Sequence, residues 1–492
     1  MGDFMVKIKI IDNDKTTIIN VSKGSNLLDV LRKHGYYISA SCGGKGTCKK
    51  CKVKYLNKDI LSCQTVITED MTVELNTNIS TGLEEMLSRT YEVEEQNGYG
   101  IAFDLGTTTI AAYLMNLQTG SEIGSYSVLN TQASYGADVV SRIQQCEAGF
   151  LQELNTIIVK QFNDIINHFQ NQAMVDKIEK IVVSANTTML HILANVNPSS
   201  LGKAPFKPQF IERKEFSGAE LKINVNKVIL LPSISAYIGS DIVSGMLAID
   251  ISHKKGNLLF VDMGTNGEII LKTDDAMYGT STAAGPAFEG AKIEFGTGGI
   301  PGAISKVSLH NQELKLTTID NKQAIGICGS ALVEIISLLI KEAIIDETGL
   351  LQSSNNLVKH DKFYLDSNIY ISQRDIREFQ LAKSAIASGI KTLVGYAGLT
   401  LDAIDKIYLA GGFGFYLNKG SAISVGLLPK EFKGKQVVVV GNSSGEGAKM
   451  ALINAKYLRD CDNIYRQVEV VELANNKVFA DYFIENILFE IN

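Results

Sequence analysis

Four cysteines crowd the start of this 492-residue chain: Cys42, Cys48, Cys51 and Cys63. The first three read C-x5-C-x2-C, and the fourth follows after eleven residues. Thiolates are soft ligands, and Gly43, Gly44 and Gly46 let backbone N–H groups approach bridging sulfides without a Cβ in the way. Four such ligands suit a [2Fe–2S] cluster. A zinc knot would carry two C-x2-C halves, and only one is present. Disulfides are not expected, because no signal peptide is read at the start. Cys146, Cys328 and Cys461 stand alone in apolar contexts and are expected to be buried small hydrophobes.

A second chemistry begins at Phe103-Asp104-Leu105-Gly106-Thr107-Thr108-Thr109, where an apolar strand ends in Asp and turns on Gly and Thr. The pattern recurs at Val261-Asp262-Met263-Gly264-Thr265-Asn266-Gly267-Glu268. In each turn Gly exposes N–H groups, Thr or Asn adds donors, and Asp is placed to hold Mg²⁺ through water, so the loop can wrap a phosphate chain. Two such turns, each opening a half of similar size, imply an internal duplication. Further on, Lys406-Ile407-Tyr408-Leu409-Ala410-Gly411-Gly412-Phe413-Gly414 is an apolar strand running into paired glycines. Asp241, in Ile238-Gly239-Ser240-Asp241, and Glu268 are candidates to orient an attacking water.

These residues need elements to position them. Val6–Ile10 and Thr16–Val21 alternate apolar and polar residues about Asp12-Asn13-Asp14-Lys15, which predicts a β-hairpin. Ser25 is a plausible N-cap for a helix carrying Leu27, Leu28, Val30 and Leu31, with Gly35 just past its end. Cys51–Leu56 and Met71–Leu75 are the expected last strands. Hairpin, helix, cysteine loop, strand, strand resembles the β-grasp ferredoxins. The first cysteine gap is one residue longer than the plant-type C-x4-C-x2-C, as in the adrenodoxin-like branch. Lys45, Lys49, Lys50, Lys52, Lys54 and Lys58 surround the cysteines, either as a solvated loop or as a docking face for an acidic redox partner.

The expected division is 1–78 for the cluster domain, 79–98 for a linker, 99–253 for a first lobe and 254–492 for a second. A short helix is expected at Leu83–Leu87. Glu92, Glu94 and Glu95 with Gln96-Asn97-Gly98 read as an acidic flexible connector, either a hinge for the cluster domain or a plain surface linker. Composition is ordinary for a globular α/β protein: 45% hydrophobic, 20% charged, net charge −6. That balance does not point to nucleic acid. No apolar run reaches the length of a membrane span. A reduced cytoplasm is the expected location.

The duplicated turns resemble the actin, hexokinase and heat-shock-chaperone superfamily, whose two lobes of ribonuclease H-like fold face each other across a nucleotide cleft. The resemblance implies that Pro232–Ala248 holds the first connecting helix and Gln380–Val394 the second. It places Ser281–Pro286, with Gly285, along the nucleotide. With the cluster domain in front, the chain resembles the reductive activators of corrinoid-dependent methyltransferases over its full length. The phrases that carry this are Cys42–Cys51, Ser184-Ala185-Asn186-Thr187-Thr188-Met189, Phe260–Glu268, Ala284-Gly285-Pro286-Ala287-Phe288-Glu289-Gly290, Arg374–Lys383 and Ala410–Gly414.

The resemblance implies that Cys42, Cys48, Cys51 and Cys63 hold the cluster. Gly106, Thr107, Thr108, Gly264, Thr265 and Asn266 would cradle ATP phosphates. Asp104 and Asp262 would bind hydrated Mg²⁺, and Gly411, Gly412 and Phe413 would line the adenosine. The implied reaction returns Co(II) to Co(I) in a corrinoid protein, with a low-potential donor refilling the cluster. Ferredoxin clusters lie at about −400 mV, and each tenfold shift of a one-electron equilibrium takes about 59 mV. ATP is the expected source of the extra driving force. A small-molecule kinase with a regulatory redox domain is the rival expectation. An electron-transfer adaptor is another, and an activator of acyl-CoA dehydratases is disfavoured by four ligands on one chain.

Overall fold

The computed structural model describes residues 5–12, 15–34, 51–56, 58–75, 92–94, 96–136, 138–175, 177–290, 292–310, 313–353, 355, 357–411 and 417–490. Gly35, Cys42, Cys48, the Leu83–Leu87 helix, Gly412 and Phe413 lie outside them.

The N-terminal sheet runs in the order Lys15–Ser22, Met5–Asp12, Met71–Leu75, Lys52–Tyr55, Lys58–Leu61. Met5–Asp12 pairs antiparallel with its hairpin partner and parallel with Met71–Leu75. Alternation puts Ile8, Ile10, Val53 and Val73 on one face, where the Leu27–Lys33 helix covers them with Leu27, Leu28 and Leu31. This is the expected β-grasp arrangement. The helix cap differs from expectation by one residue. Asn26 Oδ1 accepts from Leu28 N at 3.0 Å, while Ser25 Oγ donates to Ser22 O. Lys58–Leu61 is a strand the sequence pattern did not single out.

Two larger sheets follow, sharing one five-strand pattern. The first is ordered Lys214–Ser217, Lys227–Leu230, Ile178–Ala185, Tyr99–Leu105, Thr109–Asn116, Glu122–Leu129. The second is ordered Gln436–Gly441, Lys406–Ala410, Leu258–Met263, Gly267–Lys272, Met277–Thr282, Val468–Val470. In each, a three-stranded antiparallel meander begins with the Asp-bearing strand, and two parallel strands flank that strand on its other side. The duplication inferred from the turns is thus present in the strand order.

Each sheet buries both faces. Phe103 stacks on Phe162 of the Leu151–Ala173 helix at 4.1 Å on the outer side of the first sheet. Between the sheets, the Ser240–Ala248 and Ser443–Ile453 helices pack together among Ala102, Val182, Phe260 and Tyr408. The crossing is close because the contact residues are small. A Cβ at Gly447 would come within 1.9 Å of Ser244 O, and one at Gly245 within 2.9 Å of Ser443 Oγ.

This corrects one expectation. The helix at Gln380–Val394, seen as Gln373–Tyr396, does not cross the first connecting helix. It packs on Gly267–Lys272, Met277–Thr282 and the Lys477–Glu485 helix within the second half. Ser443–Ile453 takes the crossing position, since only its Gly and Ser face permits such an approach. Cys146, Cys328 and Cys461 are buried as expected, and burial pushes the Cys146 thiol up to about 11. Among the described residues no helix is long and apolar enough to cross a membrane.

The described end of the acidic connector is anchored. Asn454 Nδ2 donates to Glu92 O at 2.9 Å, Lys456 pairs with the Glu92 carboxylate, and Ala455 N donates to Glu94 Oε2 at 2.9 Å. Lys180 Nζ, on the first sheet, donates to Gln96 Oε1. Val93 packs into the core between the sheets. Residues 92–94 and 96 are therefore tied to the second half and the first sheet, which favours the surface-linker alternative over a free hinge at these positions.

Candidate nucleotide cleft and cluster site

The Asp-bearing strands end at the cleft between the two halves. In the first loop Gly106 N donates to Thr109 O at 2.9 Å, and a Cβ at Gly106 would meet that oxygen at 2.6 Å, so the turn requires glycine. Thr107 is held from two sides. Asn186 Nδ2 donates to its Oγ1 at 3.0 Å, and Arg142 donates to its carbonyl at 2.5 Å. Arg142 is fully buried, with further bonds to Gly136 O and Gln132 Oε1. Asn130 N donates to Thr108 O and Asn130 Nδ2 to Gly106 O, which fixes the rest of the turn. The second loop closes with Gly264 N donating to Asn266 O at 2.9 Å. Thr265 Oγ1 donates to Glu289 Oε2 at 3.0 Å.

The carboxylates expected to do chemistry come together. Asp104 Oδ1 accepts from Ser444 Oγ and Oδ2 from Asn442 Nδ2, both at 2.8 Å, at the N-terminus of the Ser443–Ile453 helix. Burial raises its pKa against the pull of those two donors. Burial, then the charge of Asp104, pushes Asp241 up to about 7. Asp262 is pushed up to about 8 by burial, then by Asp241, Asp104 and Glu289. Glu268, opposite Asp262 across the hairpin, is raised well above its ordinary value by burial, then by Asp241 and Asp262. Asp104, Asp241 and Asp262 thus raise the proton affinity of their acidic neighbours, which a bound cation would relieve. Among the described residues no three acidic, Cys or His side chains converge to ligate one ion directly.

Gly411 belongs to the same place. It adopts a φ of +96°, and a Cβ there would strike Met263 O at 2.6 Å and Asp262 Oδ1 at 2.9 Å. Gly285 also has positive φ and faces open space. Asn186, Arg142, Asn442, Ser444 and Glu289 were not assigned by residue type alone. Asn186 and Glu289 do lie inside phrases that carried the family resemblance, and Asn442 opens a Gly-Asn-Ser-Ser-Gly strand-to-helix turn.

At the other site, Cys51 and Cys63 are both buried. Antiparallel pairing of Lys52–Tyr55 with Lys58–Leu61 brings them to one end of the sheet. Ser62 N and Oγ donate to Cys51 O, and Asn26 Nδ2 donates to Cys63 O, so both main chains are fixed. No disulfide joins the two. The described half of the ligand set therefore fits an iron–sulfur cluster, which needs rigid, reduced thiols.

Fold and sites define a ferredoxin-like domain joined to a two-lobed protein of the actin and hexokinase type. Residues 10–76 match the "2Fe-2S iron-sulfur cluster binding domain" family, residues 99–254 the "RACo middle region", and residues 256–491 the "C-terminal domain of RACo the ASKHA domain". The chain is 28% identical to "Corrinoid activation enzyme RamQ" of Eubacterium limosum, over 96% of this chain and 98% of that one. It is 23% identical to "[Co(II) methylated amine-specific corrinoid protein] reductase" of Methanosarcina barkeri, over 78% and 76%. A solved structure titled "Reductive activator for corrinoid,iron-sulfur protein" superposes with a TM-score of 0.73 at 26% identity, covering 98% of each chain. The chain belongs to the family of corrinoid reductive activators.

Proposed function

We propose that this protein reductively activates a corrinoid protein at the expense of ATP. One electron leaves the protein for substrate Co(II), giving Co(I), and a low-potential donor restores it. A [2Fe–2S] cluster on Cys42, Cys48, Cys51 and Cys63 would supply that one-electron chemistry. The loops at Gly106, Thr107 and Thr108 and at Gly264, Thr265 and Asn266 would hold the ATP phosphates from opposite halves. Gly285, Gly411, Gly412 and Phe413 would flank the nucleoside. Asp104 and Asp262 would hold Mg²⁺ through water, and Asp241 or Glu268 would orient the attacking water.

What most supports this reading is that Asp104, bonded to Asn442 and Ser444 of the other half, and Asp262, beside Gly411, each lead into a glycine turn in a chain that also matches the cluster-domain family. ATP can shift Co(II) reduction only through different affinities for two states. Movement of the two connecting helices past each other is the natural source of such states. The deciding experiment mixes the reduced protein with an oxidised corrinoid protein and follows Co(I) absorbance. ATP should be required, and a non-hydrolysable analogue should not replace it over many turnovers. Equal Co(I) yield without nucleotide refutes the coupling.

A further inference from the structure

Glu289 has no task in the cleft as described so far. It ends the short Pro286–Glu289 turn, whose Phe288 is buried edge-on against Phe379 at 5.8 Å, so the turn itself is firmly seated. Its carboxylate reaches back over the second phosphate loop. Oε2 accepts from Thr265 Oγ1 at 3.0 Å, and the Thr265 N–H supplies a second donor. Oε1 lies over Gly264, where an added Cβ would meet it at 3.2 Å. The bare glycine thus leaves room for an oxygen directly above the turn.

Hydroxyl and N–H groups of a glycine turn are what such a loop offers to phosphate oxygens. Here a carboxylate takes them. Glu289 remains exposed, so its side chain can swing into water without disturbing the core. We propose that Glu289 is a built-in phosphate mimic. It closes the second loop in the nucleotide-free protein, and a nucleotide phosphate must displace it to bind. This rests on the reading of the cleft as an ATP site.

The mimic competes with phosphate and not with the nucleoside. Removing the competitor should therefore tighten phosphate ligands by about tenfold. The test is calorimetric titration of the full-length, cluster-loaded protein with MgADP and with adenosine, for wild type, Glu289→Ala and Glu289→Gln. The alanine variant should bind MgADP about tenfold more tightly, and the glutamine variant should fall between it and wild type. Adenosine should bind all three alike. Unchanged or weaker MgADP binding by both variants, or equal tightening of MgADP and adenosine, overturns the proposal while leaving the nucleotide cleft intact. Failure of wild type to bind MgADP at all overturns the cleft reading, and the mimic with it.

Discussion

Asp104 and Asn442 lie 338 positions apart and meet at 2.8 Å across the cleft. Asp104 ends the opening strand of the first sheet, and Asn442 caps the helix that crosses between the halves, its Oδ1 accepting from Gly445 N. The contact ties the Asp of the first glycine turn to the helix that crosses between the halves. Ser444 doubles the tie, and its hydroxyl also meets Ser184 at 3.0 Å.

Replacing Asn442 by Ala removes a helix cap and a hydrogen bond to a charged acceptor. The expected loss is about 1–2 kcal/mol of stability. Because Asp104 is then less well held, ATP hydrolysis should fall too. Denaturant unfolding of the variant, paired with its ATPase rate, checks both. Wild-type values for both would show that the contact carries no energy.

Asp262 lies at the crossing point of the second loop, Gly411 and the other acids. Asp262→Ala should lower ATP-dependent Co(I) formation by about 100-fold or more. The iron–sulfur absorbance should stay at the wild-type level, since the cluster domain is a separate sheet. An electron-transfer adaptor that uses ATP only as a ligand would keep its activity in this variant.

The acidic cleft makes a prediction about pH. Asp241 and Asp262 have folded pKa values of about 7 and about 8, above their ordinary carboxylate values. Between the unfolded and folded values the native state holds more protons than the unfolded one, so each acid lowers stability as pH rises through that window. Without metal, the melting temperature should therefore decline from about pH 5 to about pH 8. Asp262→Asn should flatten the decline, and saturating MgADP should do so in wild type. Melts in chelator at several pH values test this, and a slope that Asp262→Asn leaves unaltered rules out the acids as its source.

The sequence carried the architecture unusually far, because its signals were local. Two strand–Asp–Gly–Thr turns sufficed to expose the duplication, and alternation in Val6–Ile10 and Thr16–Val21 sufficed for the hairpin. The second connecting helix was hidden for a physical reason. All of Ser443–Ile453 but Glu446 is buried, so its apolar residues show little periodicity to detect. The longer Gln373–Tyr396 helix shows a clearer pattern and drew the assignment instead. Arg142 and Glu289 were invisible because their roles depend on contacts across 35 and 24 positions, to Thr107 and Thr265. Composition also misled at Glu92 and Glu94. Acidic residues beside Gln-Asn-Gly do read as a free linker, unless a helix N-terminus with Lys456 waits to receive them.

That docking sets the final prediction. Residues 92–94 and 96 bridge two bodies: Asn454, Ala455 and Lys456 just past the crossing helix, and Lys180 on the first sheet. Any slide of Ser443–Ile453 would therefore bear on these contacts. Exposed ion pairs of this kind contribute only about 0–1 kcal/mol each, so the double variant Glu92→Ala, Glu94→Ala should fold with near-native stability. ATP hydrolysis should persist, because the cleft acids are untouched. Co(I) formed per ATP hydrolysed should fall, since the two side-chain ties to Ala455 and Lys456 are removed. Measuring both rates on one preparation separates coupling from catalysis, and an unchanged ratio of Co(I) to ATP would mean these contacts transmit nothing.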